Sequence, residues 1–174
     1  AHSIRLFAKK DFFKITMIGL GNTARSTLLI LEALYPNRIF DIKLLKHKEQ
    51  EMDFAKRFAM YPNLRFSFVD KVEDAIKGAD VVISGVTYFD KDICPDSCFD
   101  EGVLVVPIHT RGFTNCDLFF DKIYADDYAH VCNFKNFNKF KKFAEVSDVV
   151  NGLAVGREND QERILAYNIG IAIH

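Results

Sequence analysis

The sequence predicts a three-layer α/β/α domain on an essentially parallel sheet of about six strands. Three observations point there. Short runs that are apolar nearly throughout alternate with longer amphipathic segments, and a glycine-rich turn joins the first run to the first long segment. No repeat, low-complexity stretch or Pro/Gly/Ser linker interrupts the pattern, so residues 1–174 read as one domain. Strands buried on both faces lose the in/out alternation of a half-exposed sheet, and parallel pairing needs long crossovers, usually helices.

A helix within Ser3–Lys9 opens the chain, and Lys14–Ile18 (KITMI) is the first strand. Thr23–Tyr35 has Leu28, Leu31 and Leu34 at helical spacing and is ended by Pro36-Asn37. Phe40–Leu45 is a second strand, and Glu49–Met60 a helix with Met52, Ala55 and Ala59 on one side. Leu64–Val69, Asp80–Ser84 and Val103–Ile108 are further strands, with a short helix at Val72–Lys77. Ile123–Ala125 makes a sixth strand, followed by a helix within Tyr128–Phe143. Asp160–Ile173 starts with acidic residues, carries Ile164, Ile169 and Ile173, and reads as a closing helix. A helix ahead of the first strand suggests a piece of a longer protein.

Composition narrows the function classes. With 49% hydrophobic and 27% charged residues, the chain is too apolar for a disordered tail and too charged for a membrane bundle. Lys plus Arg is 23 and Asp plus Glu 24, a net charge of −1, which gives no general attraction to nucleic acid or an anionic membrane. No run approaches the ~20 apolar residues of a membrane span, and the first residues lack a signal-peptide layout. The expectation is a cytoplasmic protein. Cys94, Cys98, Cys116 and Cys132 fit buried thiols in a reducing compartment.

The most informative segment is Ile15–Ser26. It sets Gly19-Leu20-Gly21-Asn22-Thr23-Ala24, a G-x-G-x-x-A turn, between a strand and a helix. In a dinucleotide site of Rossmann type, Gly19 permits the sharp turn and Gly21 lets backbone N–H groups reach a pyrophosphate. Ala24 keeps the helix close to the sheet. The other reading is a purely structural turn; the strand-then-helix context favours the dinucleotide. Lys46-His47-Lys48 follow the second strand, where an NAD site normally has an acidic residue for the ribose. Three potentially cationic groups there suit a 2′-phosphate, so NADP(H) is preferred and NAD(H) possible. A solvated basic loop is the alternative. Ser84, Gly85, Val86 and Thr87 end the fourth strand, where small residues would line the cofactor crevice. His109-Thr110-Arg111 end the fifth, where nicotinamide and substrate would meet. His109 and Arg111 are candidates for a substrate carboxylate, and an Arg111 ion pair with a local Asp such as Asp117 is the competing reading.

Two sharper patterns carry less. Cys94, Cys98, His109 and Cys116 lack the regular paired spacing of a zinc site, so no metal is expected. Phe134, Phe137, Phe140 and Phe143 recur every three residues beside Lys135, Lys139, Lys141 and Lys142. Such a pattern could stack bases, but it reads first as a helix with an aromatic core side and a solvated basic side.

Three segments, MIGLGNTAR, GADVVISGVT and GRENDQERILAYNIGIAI, together resemble the ornithine cyclodeaminase/mu-crystallin family. Gly156, Arg157, Asp160, Glu162, Leu165, Gly170 and Ala172 fit the family's closing pattern in register. The resemblance implies the family's dinucleotide-binding half alone. The substrate-binding and dimerisation half is absent, and the complete protein would be a homodimer. It further implies an NADP-dependent oxidoreductase of small imino or amino acids. The alternatives are a cyclodeaminase-like lyase that keeps NAD bound and a non-catalytic NADPH-binding module. The chain departs from the family pattern at Thr23, where Gln is usual, and at Ile164-Leu165-Ala166-Tyr167-Asn168. It departs again at Arg111, at or beside the place where the resembling cyclodeaminases carry a catalytic Asp.

Overall fold

The computed structural model describes residues 1–86, 89–109 and 111–170. Eight strands form one sheet: β1 (Lys14–Ile18), β2 (Phe40–Leu45), β3 (Leu64–Val69), β4 (Val81–Ser84), β5 (Leu104–Pro107), β6 (Lys122–Ala125), β7 (Phe143–Glu145) and β8 (Ile164–Tyr167). Their order is β3-β2-β1-β4-β5-β8-β6-β7, and each neighbouring pair is parallel. The direction of strand succession reverses between β1 and β4, which opens a crevice beyond their carboxyl ends.

Two apolar cores explain the three layers. Successive side chains of a strand point to opposite faces. Ile15, Met17, Ile42, Leu44, Ile83 and Val106 therefore face α1 (His2–Phe7), α2 (Asn22–Leu34) and α3 (Gln50–Arg57), which contribute Phe7, Leu28, Leu31 and Phe54. Ile18, Val82, Val105, Ile123 and Leu165 face the other way. They meet Ile76 of α4 (Val72–Ile76), Cys116 of α5 (Cys116–Phe119), Val131 of α6 (Tyr128–Val131) and the loop residues Phe99, Phe113 and Phe120.

The structure corrects the sequence expectations in three places. The sheet has eight strands, not about six. The expected closing helix over Asp160–Ile173 is the strand β8 where it is described, buried at all four positions between β5 and β6. Its short apolar run satisfies a two-sided sheet as well as a helix, and the open slot in the sheet decides the matter. The expected helix within Tyr128–Phe143 stops after one turn. A single 3₁₀ turn at Phe137–Lys139 and then β7 take its place, with α7 (Val146–Val150) following. Phe134, Phe137, Phe140 and Phe143 still pack against the second core, as a knot of ring contacts between irregular segments.

The closing sequence pattern works at the amino edge of the sheet, opposite the crevice. Arg157 donates to the backbone carbonyls of Phe7, Gly102, Asn159 and Glu162, and so ties α1 to the starts of β5 and β8. Lys122, only 3% exposed, reaches Glu158, Glu162 and the Gly156 carbonyl. The burial of Lys122 and half-burial of Arg157 are tolerated because each finds several acceptors.

Candidate functional site

The crevice is set by the contact of two turns. Gly19, at φ +81°, lies so close to the turn after β4 that an added Cβ would meet the carbonyl carbon of Gly85 at 2.7 Å. Only glycine fits both constraints. Gly21 differs: its backbone is ordinary (φ −77°), and a Cβ there would meet nothing within 4 Å. The open space lies at the N-terminus of α2, where Gly21 is the cap residue and no side chain caps the first amides. Asn22 and Thr23 are exposed at that end, while Ala24 is buried where helix meets sheet. A thirteen-residue helix whose first N–H groups carry no side-chain cap offers partial positive charge to an anion.

A cavity of about 530 Å³ follows from this arrangement, walled by Gly19, Gly21, Lys46, His47, Gly85 and Phe89 among others. Lys46 and His47 thus stand at its β2 end, and Lys48 is not in its wall. The loop bends sharply, with Lys48 and Glu49 both at positive φ. Lys46 is already ion-paired to exposed Asp70 at 3.0 Å, and the His47 amide donates to Glu51. Val86 also lines the cavity; Thr87 lies outside the described residues, as does Thr110.

Ser84 is withdrawn from the crevice. It is fully buried and shares a 2.6 Å hydrogen bond with Nε2 of His109, which is 7% exposed and lies between the rings of Phe89 and Phe113. Burial lowers the His109 pKa, opposed by the Arg111 backbone, so the ring is neutral at pH 7. Arg111 is exposed and lines a second cavity of about 780 Å³. The two cavities share Phe89. Asp117, named above as a local partner for Arg111, accepts a hydrogen bond from the Tyr167 hydroxyl at 2.9 Å. Burial pushes the Asp117 carboxyl up to about 7, the charge of Asp92 adds to this, and the Tyr167 hydrogen bond opposes it. The sequence offered no signal for the Asp117–Tyr167 pair, whose members are 50 residues apart.

Among the described residues no three His, Cys, Asp or Glu side chains are grouped to hold a metal, and all four cysteines are unpaired. No helix of the described residues is long and apolar enough to cross a membrane.

A doubly wound sheet with a glycine-lined crevice at its switch point defines the class of α/β folds that hold ligands beyond the strand ends. The chain belongs to the ornithine cyclodeaminase/mu-crystallin family, whose model matches residues 1–174. It is 29% identical over 170 residues to the nodulation efficiency protein NfeD of Rhizobium meliloti, covering 92% of this chain and 52% of that protein. It is 26% identical over 184 aligned positions to N-((2S)-2-amino-2-carboxyethyl)-L-glutamate dehydrogenase of Staphylococcus aureus, covering 95% and 53% respectively. An archaeal alanine dehydrogenase dimer with bound NAD superposes with a TM-score of 0.82 at 19% identity, covering 99% of this chain and 57% of that one. The chain therefore spans about half the length of the relatives it matches.

Proposed function

We propose that this chain is the NADP(H)-binding domain of an oxidoreductase that interconverts a small imino acid and its amino acid. The observation that carries the reading is the pair Gly19 and Gly21: one is required by a backbone contact, while the other faces empty space at an uncapped helix end. A pyrophosphate is the ligand that such a gap accommodates. Gly85 and Val86 would flank the dinucleotide, with Asn22, Thr23 and Ala24 forming the helix end beneath its phosphates. Lys46 and His47 stand where the adenosine ribose would lie, with Lys48 adjacent in the loop, and this supports NADP(H) over NAD(H). The related dehydrogenases support the reaction class. His109 and Arg111, at the end of β5, are the residues of this chain nearest to where substrate would be held.

The complete protein is taken to be a cytoplasmic homodimer whose substrate clamps come largely from outside these residues. No partner nucleic acid or membrane is invoked. Titration calorimetry with NADPH and NADH tests the reading. Micromolar NADPH binding, lost in Gly21→Val, is expected; equal affinity in the two proteins would falsify it. A second reading, a module that binds NADPH without turnover, is favoured by the exposed Arg111 at the strand end, where an always-cationic group cannot exchange a proton.

A further inference from the structure

The reduction of an imine needs a proton at nitrogen for every hydride delivered to carbon. His109 is neutral and its Nε2 is committed to Ser84, and Arg111 holds its proton permanently. The second cavity contains a different group. Asp117 is 1% exposed, yet it forms part of the wall of the 780 Å³ space next to Phe89. Its Oδ1 accepts from the Tyr167 hydroxyl, which holds the carboxyl in place against the cavity wall. The rest of the wall carries both signs of charge, Lys91, Arg111 and Lys135 with Asp90 and Asp92. A molecule bearing a carboxylate and a nitrogen cation is the kind of ligand such a wall fits.

The strand order places this cavity on the correct side. A dinucleotide with its adenosine over β2 and its pyrophosphate between β1 and β4 extends next toward β5, and Asp117 and Tyr167 belong to segments at the carboxyl edge beyond β5 and β8.

We propose that Asp117, held by Tyr167, is the catalytic proton donor to the substrate nitrogen. This rests on the oxidoreductase reading above. In the reducing direction the Asp117 carboxyl gives its proton to the imine nitrogen. The hydride and its electron pair pass from the reduced nicotinamide to the imine carbon, leaving an amine, the oxidised cofactor and an Asp117 carboxylate that is reprotonated from water. A carboxyl with a pKa near 7 is matched to that exchange at neutral pH. Burial raises both Tyr167 and Cys116, the other titratable groups packed on Asp117, so neither titrates there; Asp92 is the charge that acts on it.

The test uses the complete protein with NADPH and two probes, Δ1-pyrroline-2-carboxylate and pyruvate with ammonium. Asp117→Asn keeps an acceptor for Tyr167 and should bind NADPH as tightly as wild type. Turnover should fall about a hundredfold or more, with part regained in Asp117→Glu. Wild-type kcat/KM for imine reduction should decline as pH rises through about 7, and the Asn variant should lose that limb. Asp117→Asn turning over near the wild-type rate, or keeping the limb, overturns the proposal alone. NADPH binding by wild type without turnover of either probe overturns the oxidoreductase reading and this proposal together, and failure to bind NADPH overturns the crevice assignment itself.

Discussion

Glycines two residues apart should respond to substitution in opposite ways. Gly21→Val leaves an ordinary backbone and meets no neighbour, so it should cost under about 1 kcal/mol of stability while removing dinucleotide binding. Gly19→Ala combines positive φ with a backbone clash, and should cost about 2–3 kcal/mol or more, measured by urea unfolding. Asp117 yields a pH prediction. Its folded pKa of about 7 lies above the ordinary carboxylate value of about 3.9, so its stabilising contribution is complete below about pH 4 and lost as pH rises through 7. Wild type should therefore weaken relative to Asp117→Asn by on the order of 2.5–3 kcal/mol between pH 5 and 8. Chemical denaturation of both proteins at the two pH values checks it; parallel behaviour contradicts the burial argument. The glycine pair was legible in the sequence because spacing and context are local. The partners of Ser84 and Asp117 were not, because each lies across the sheet edge from the residue it meets.

At the scale of elements, strands β1 to β6 were legible because each is a short apolar run and the first five are separated by clear helical or turn signals. The helix after β2 and the one after β6 are shorter than their sequence patterns, at Gln50–Arg57 and Tyr128–Val131, while α2 keeps its expected thirteen residues. Where two periodicities fit equally, as in β8, and where aromatic residues recur every three positions, as before β7, local pattern could not choose. The neighbours in space did. The loop after β2 offers a test of cofactor choice. Lys46→Asp should shift preference from NADPH toward NADH, by about tenfold or more, through loss of a cation and repulsion of the 2′-phosphate. The existing Lys46–Asp70 ion pair should reduce that effect at low salt, and Asp70→Asn should strengthen NADPH binding. Tighter binding of NADH than NADPH by wild type would show the loop has been misread. At the opposite edge, Arg157→Ala leaves four carbonyls without their donor and should cost on the order of 3–4 kcal/mol without changing nucleotide affinity.

For the molecule as a whole, these 174 residues should bind cofactor but complete no catalytic cycle, and should be monomeric or weakly associated. Substrate must be held about 3–3.5 Å from the nicotinamide carbon, and the chain spans about half the length of the relatives it matches. Robust turnover of a cyclic imine by this chain alone would refute the view. The position of β8 has a further consequence, for how the molecule is made. The sheet grows outward from β1 to β3 on one side, but on the other the slot between β5 and β6 is filled by β8, the last of the eight described strands. During synthesis, β6 and β7 therefore cannot join β5 through the sheet until residue 167 has emerged, since β8 is the strand between them. Until then both flanks of the slot expose unpaired N–H and C=O groups, the edge at which other extended chains can pair. A nascent or truncated chain ending before Ile164 should thus be the aggregating species, and refolding of the intact chain should show a late step in which amide protection of β5, β6 and β8 appears together.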